Sequence, residues 1–188
     1  MAAPRNENVK TMILDAAEQL LQSKPLSEIS LARIAEHSGV SKGTLYYYYK
    51  NKGDLLFDIT DRYLHRQWEE LIAWTDNKSK DTSIHRLVSY VIARNVNASR
   101  LRVHLLEAAV SGGEPLRTKV LQRYTEFQAL ISQKIAERTD KVSADYLTWL
   151  ILMASDGIII QKALQNSALD IEAFIAQSAE LMKGLEIG

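Results

Sequence analysis

The sequence predicts an all-α fold of about nine helices, because apolar residues recur at i, i+3, i+4 and i+7 along nearly the whole chain. A second observation agrees: no alternating strand pattern or hairpin turn appears. Punctuation is also sparse, with eight glycines and three prolines in 188 residues. With 46% apolar and 24% charged residues, the chain reads as one globular domain or two small ones.

Val9, Met12, Ile13, Ala16, Ala17, Leu20 and Leu21 form the first stripe, which stops before Pro25. A short helix follows over Leu31–His37, with Ser30 as N-cap and Gly39 just past its end. Ser41 caps a second short helix that runs through four tyrosines to Lys50. A long helix opens at Asn51, carries Asp54 where an acid favours the dipole, and continues through Leu55, Ile59 and Tyr63 to Trp74. The polar stretch Thr75–Ser83 reads as a loop.

Stripes resume over Ile84–Val96 and Arg100–Ser111. Gly112-Gly113 breaks the chain before Pro115, which starts a helix carrying Leu116, Val120, Tyr124, Phe127, Ile131 and Ile135. Ser143 caps a helix to about Gln165 that is apolar on nearly every side, so it is expected to be buried all round. The last helix opens at Asp170. The expected organisation is a three-helix unit over 1–50 and a helical body over 51–188, whose first helix, 51–74, bridges the two.

Composition removes several function classes. No cysteine is present, which excludes disulfides, thiol catalysis and Cys-based metal sites and suits a reducing cytoplasm. The first eight residues carry charges and no apolar run, so no secretory signal is expected. The longest apolar stretch, Leu147–Leu164, contains Asp156, Gln161 and Lys162. An Asp at a bilayer centre costs about 2.5–3.5 kcal/mol, so a helix buried in protein, not in a membrane, is expected. The histidines His37, His65, His85 and His104 show no metal-ligand spacing beyond His65 and Glu69 at i, i+4, which read as a solvated helix face. No phosphate-cradling loop or nucleophile elbow occurs, so no catalytic residue, metal or cofactor is expected.

Lys+Arg and Asp+Glu both number 23, a net charge of zero that taken alone argues against a nucleic-acid partner. The spread is uneven: residues 1–53 hold seven basic against five acidic residues, leaving +2 there and −2 on the remainder.

Residues 31–50 carry the strongest signal. Ala35 is small where two helices would cross, and Gly39 supplies the positive φ of a turn at no Cβ cost. Ile34, Val40 and Leu45 are apolar where a shared core requires it. The pattern is that of a helix-turn-helix whose second helix would enter a major groove. Tyr46, Tyr47, Tyr48 and Tyr49 point about 100° apart, so one contact cannot bury them all. Exposed phenols beside Lys42, Lys50 and Lys52 suit phosphates and base edges.

The string Ser-Lys-Gly-Thr-Leu-Tyr-Tyr-Tyr-Tyr-Lys-Asn-Lys-Gly-Asp-Leu-Leu, residues 41–56, closely resembles the recognition helix and following helix start of the tetracycline-repressor (TetR) family. Ile-Ser-Leu-Ala-Arg-Ile-Ala-Glu-His-Ser-Gly-Val, residues 29–40, is similar to its second helix and turn. The resemblance implies that Lys42 and Gly43 reach base edges, that Tyr46 touches base or phosphate, and that Thr44, Tyr47, Tyr48 and Lys52 contact phosphates. It places Ser30 and Ser41 where helix starts meet the DNA backbone; Arg33 either approaches DNA or lies on a solvated face. Two residues depart from the family: Tyr48 stands where His is usual, and Tyr49 where a core Phe is usual. A buried Tyr49 ring must still find its hydroxyl a partner.

The resemblance further implies a cytoplasmic homodimeric regulator, a repressor released from a palindromic double-stranded DNA operator by a small-molecule effector of unknown identity. Ile158, Ile160 and Leu164 on the second-last helix, with Phe174 and Leu181 on the last, are the candidate dimer contacts. Trp68, Tyr90, Tyr124, Phe127, Trp149 and Met153 either line an effector pocket or form plain core. Asp156 either faces a helix N-terminus or the dimer seam, or binds effector; His104 and Glu107 share a helix face and are further pocket candidates. A DNA-binding adaptor governed by a protein partner and a helical-bundle enzyme are the alternative readings.

Overall fold

The computed structural model describes residues 3–77, 82–94, 96–111 and 113–185. Among the described residues are nine α-helices and no strand: α1 (Ala3–Ser23), α2 (Leu31–Ser38), α3 (Lys42–Tyr48), α4 (Lys52–Thr75), α5 (Ile84–Ala93), α6 (Ser99–Ser111), α7 (Glu114–Ala136), α8 (Ala144–Ala163) and α9 (Ile171–Lys183). Short 3-10 turns at Leu26–Glu28 and Val96–Ala98 precede α2 and α6. The middle of the loop expected over 75–83, and Gly112, lie outside the described residues.

The helix starts follow from their capping residues. Ser30 Oγ accepts the Arg33 amide at 3.2 Å, Ser41 Oγ that of Thr44 at 3.0 Å, and the Asp170 carboxylate that of Ala173 at 2.9 Å. At α4 the capping is reciprocal. The Asp54 amide donates to Asn51 Oδ1 at 2.9 Å, and Asn51 Nδ2 donates to the Asp54 carboxylate at 3.0 Å. Each such cap satisfies amides that have no partner within the helix and contributes about 1 kcal/mol.

Gly39 ends α2 at φ 71°, in the left-handed region, and lets the Val40 amide donate to the Ala35 carbonyl at 3.1 Å. A Cβ at Gly39 would meet nothing within 4 Å, so the glycine is there for its backbone angle and not for space. Gly39→Val is therefore expected to cost about 1–2 kcal/mol through that angle alone. Urea denaturation checks this, and an unchanged midpoint would contradict it.

By packing, the chain groups into two compact units, residues 1–64 with 100–120 and residues 65–99 with 121–188. In the first, α1 packs on α2 and α2 on α3. Ile13, Ala17 and Leu21, with Ile34, Ala35, Leu45, Leu55, Ile59 and Leu101, are buried there. Removing one such Leu or Ile side chain from water contributes about 1.5–3 kcal/mol. Arg62 of α4 clamps α1 at two points, donating from Nε to Glu18 at 2.9 Å and from Nη1 to Asp15 at 2.7 Å.

In the second unit α5 packs on both α8 and α9. Its core includes Leu71, Leu87, Val91, Phe127, Ile131, Leu147, Ile151 and Ile158. Within the single chain the second-last helix, expected to be buried all round, is not. α8 buries Leu147, Ile151, Ser155 and Ile158 on one side, but leaves Tyr146, Trp149, Leu150, Met153 and Ile160 exposed. α8 is apolar on two sides, and the helices of its own chain cover only one of them. Ile158 sits in the unit's own core and not on the uncovered side, whereas Trp149 and Met153 are exposed in the single chain.

Candidate nucleic-acid interface

The second helix of the helix-turn-helix, α3, presents its tyrosines in graded fashion. Tyr46 is 51% and Tyr47 78% exposed, Tyr48 is half-buried, and Tyr49 is 2% exposed. The Tyr47 and Tyr48 rings meet edge to face at 5.4 Å, an arrangement that stiffens both. Ser41, Lys42 and Gly43 are exposed at the start of this helix. Ser30, Arg33, Glu36, Val40 and Lys42 line one shallow cleft across α2 and α3. The fold thus brings Ser30, Arg33 and Lys42 of the candidate DNA-contacting residues together in one cleft, while Tyr47 and Tyr48 line another.

Several of these side chains already have local work. The Ser41 hydroxyl shares a 2.8 Å hydrogen bond with the Thr44 hydroxyl while capping the helix, and Arg33 Nη1 donates to the Glu28 carbonyl at 3.4 Å. Lys52 departs most from expectation. Its ammonium is half-buried and donates to the Leu26 carbonyl, so in this form it is not offered to a phosphate. Burial pushes the Lys52 ammonium below the usual lysine range, and the Glu107 carboxylate partly opposes that.

The Tyr49 hydroxyl finds the partner that its burial demands. It donates to Asp58 at 3.0 Å, and Asp58 also holds the Lys10 ammonium at 2.6 Å. Burial first, and the Asp58 charge second, push the Tyr49 phenol well above the usual tyrosine value. Raising the pKa of an acid in the folded state favours its neutral form. That stability is complete below about pH 10, the unfolded tyrosine value, and is lost as pH rises toward the folded value. The protein is expected to weaken between pH 9 and 11, and Tyr49→Phe to flatten that slope. Urea melts at the two pH values measure both, and identical slopes would remove Tyr49 from the account.

The effector candidates separate. In the second unit the Trp68 and Phe127 rings meet at 5.6 Å, and the Tyr124 hydroxyl donates to Asp156 at 2.6 Å, which gives that carboxylate a partner within the chain. Tyr90 stacks on Trp74 at 4.7 Å and donates to the Glu70 carbonyl at 3.1 Å. His104 and Glu107 belong to the first unit. The sequence reading missed Arg94, whose guanidinium lies 4.9 Å from the Phe127 centroid and donates to the Gln67 side chain at 3.1 Å. It also missed Arg123, which lies 5.6 Å from the Trp68 ring. No local motif marks either arginine, because their partners lie on other helices.

Among the described residues no group of three His, Asp or Glu could hold a metal ion, and no helix is long and apolar enough to cross a membrane.

Residues 13–59 match the family described as bacterial regulatory proteins, tetR family. The HTH-type transcriptional regulator EthR of Mycobacterium tuberculosis is 34% identical over 65 residues, which are 35% of this chain and 30% of EthR. The match thus spans less than a third of that curated relative. The HTH-type transcriptional regulator BetI of Serratia proteamaculans is 24% identical over 181 residues, 91% of this chain and 89% of BetI. A TetR transcription regulator from Haloarcula marismortui has the same fold, with TM-score 0.78 and 21% identity over 96% of this chain and 100% of that one. Residues 13–59, which hold the helix-turn-helix, thus match the tetR family of bacterial regulatory proteins, and the all-helical fold of a TetR regulator is shared along nearly the whole chain.

Proposed function

We propose that the chain is a cytoplasmic, non-enzymatic transcriptional repressor that binds a palindromic operator as a homodimer and is released by a small-molecule effector. The observation that carries this reading is the exposed start of α3, where Lys42 and Gly43 are bare and Tyr46 and Tyr47 stand beside them. A Cβ at Gly43 would meet only Ser41 Oγ, at 3.8 Å, so the fold does not itself require glycine there. Its bareness instead admits the close approach of a base pair. Lys42 donates to a base edge, Tyr46 meets base or phosphate, and Thr44, Tyr47 and Tyr48 hold the backbone, with Ser30 and Ser41 at the helix starts and Arg33 at the cleft rim. A phosphate contact from Lys52 needs its bond to Leu26 to open first.

The dimer contact is read on the uncovered side of α8 and on α9, where Ile160, Leu164, Phe174 and Leu181 are exposed and Trp149, Leu150 and Met153 join them. Contiguous exposed apolar surface of this kind marks an association site. Effector binding is read in the second unit around Trp68, Tyr90, Tyr124, Phe127 and Asp156, where an aromatic ligand entering beside Phe127 displaces the Arg94 guanidinium.

Sequencing genomic fragments retained by the purified protein tests the reading. Two inverted half-sites are expected with centres about 34–36 Å apart or a multiple of that, as two-fold docking of recognition helices requires. Retention of fragments with no shared sequence would overturn it.

A further inference from the structure

The first unit contains a cleft apart from the aromatic cluster of the second unit, and Tyr47, Tyr48 and Lys52 of the proposed DNA-contacting set line it. It has a volume of about 880 Å³ and opens between the α3–α4 turn and the α6 face carrying Glu107, Ala108 and Ser111, with Pro115 and Leu116 of α7 at its edge. All of its lining belongs to that one unit. A space of this size suits a small organic molecule.

The walls define which molecule. Tyr47, Tyr48, Tyr49 and Phe57 supply aromatic faces, and Leu26 and Leu56 supply aliphatic surface. Of its carboxylates, Asp58 is held by Lys10 at 2.6 Å and Asp54 accepts from Asn51 at 3.0 Å. Glu107 differs. Its carboxylate is exposed, and among the described residues its ion-pair partner is the His104 ring nitrogen at 3.7 Å, a cation only when protonated. The Lys52 ammonium, turned onto Leu26, feels the Glu107 charge without pairing with it within 4 Å. Of the two lysines in the lining, Lys52 turns its ammonium onto the Leu26 carbonyl and Lys50 is exposed. Phe57 already meets a cation outside the cleft lining: the Lys119 ammonium sits 4.1 Å from the Phe57 centroid and 2.5 Å from an Asp61 oxygen, held by one ring and one carboxylate.

We propose that this cleft is a second ligand site, which takes an organic cation with an apolar body, its charge paired with Glu107 and its body laid on the Tyr48 and Phe57 rings. The site lies directly behind the recognition helix, so occupancy acts on the DNA-reading surface itself. Tyr47 and Tyr48 cannot both line an occupied cleft and reach out to phosphates, so cation and operator compete. The inference is independent of the effector reading in the second unit.

Tetraphenylphosphonium and tetraphenylborate share size and shape and differ in the sign of their charge. Calorimetric titration of the full chain is expected to show binding of the phosphonium and no binding of the borate in the cleft. Glu107→Gln weakens phosphonium binding by about tenfold, the loss of one charge pair. Ser111→Trp, at an exposed position that the fold tolerates, removes it by filling the cleft. Phosphonium is also expected to weaken operator binding by wild type and not by Ser111→Trp. No binding, equal binding of both ions, or binding that survives both substitutions would overturn the proposal.

Discussion

A Leu150→Glu, Met153→Glu double variant is expected to be a folded monomer that has lost about 10²–10⁴-fold in operator affinity. Both side chains are exposed in the single chain, Met153 by 66%, so carboxylates there do not disturb the core of the second unit. They fall instead within a stripe formed by Tyr146, Leu150, Met153, Ile160 and Leu164, spaced to lie along one side of α8. Gly157 lies in the same stripe, and a Cβ there would meet nothing within 4 Å, so a second helix can approach closely at that point. Two glutamates per protomer would meet two more across a two-fold axis, and burying like charges together is prohibitive. The affinity loss follows from linkage, because a second half-site tethered to the first raises overall affinity by about that 10²–10⁴ factor. Sedimentation equilibrium and operator titration measure the two effects. A variant that stays dimeric would remove this side of α8 from the interface, and a monomer with full affinity would remove the need for a dimer.

Lys42→Ala and Tyr46→Ala are each expected to weaken specific operator binding by about 1–3 kcal/mol per half-site while leaving the fold intact. Neither side chain contributes to the head's core, since Lys42 is exposed and Tyr46 is 51% exposed. The two should differ in kind. A lysine donating to a guanine edge reads sequence, so its loss relaxes preference at one base position. Tyr46 positions as well as reads, so its loss lowers affinity with a smaller change in preference. Binding selections on randomised half-sites separate the two outcomes. Unchanged affinity in either folded variant would move the recognition surface off α3.

The features legible in the sequence were those set by neighbours three or four residues apart. Ser30, Ser41 and Asp170 cap their helices through bonds three residues long, and Gly39 takes its left-handed angle from its place after α2. The differing exposure of Tyr46, Tyr47 and Tyr48 follows from helical rotation in the same way, whereas Tyr49 lies just past α3 in extended backbone. What was hidden depends on partners far along the chain. Lys52 reaches a carbonyl 26 residues away, Arg94 a glutamine 27 away, and Lys119 an aspartate 58 away. No local pattern chooses among the many acceptors within reach of a flexible lysine or arginine. The bare side of α8 escaped for a related reason. Apolar residues on two faces look the same in sequence whether the second face meets the chain's own helices or another molecule.

The inward bond of Lys52 sets how many counterions DNA binding releases. With Lys52 on Leu26 and Lys10 on Asp58, and with Lys42 assigned to a base edge, the head is left Arg33 and Lys50 for phosphates. Four such contacts per dimer give a slope of log affinity against log salt of about −4, at about 0.9 per phosphate neutralised. If DNA draws both Lys52 ammoniums away from Leu26, the slope steepens to about −5. Salt titration of wild type against Lys52→Met therefore counts directly whether the head rearranges as it closes on its operator.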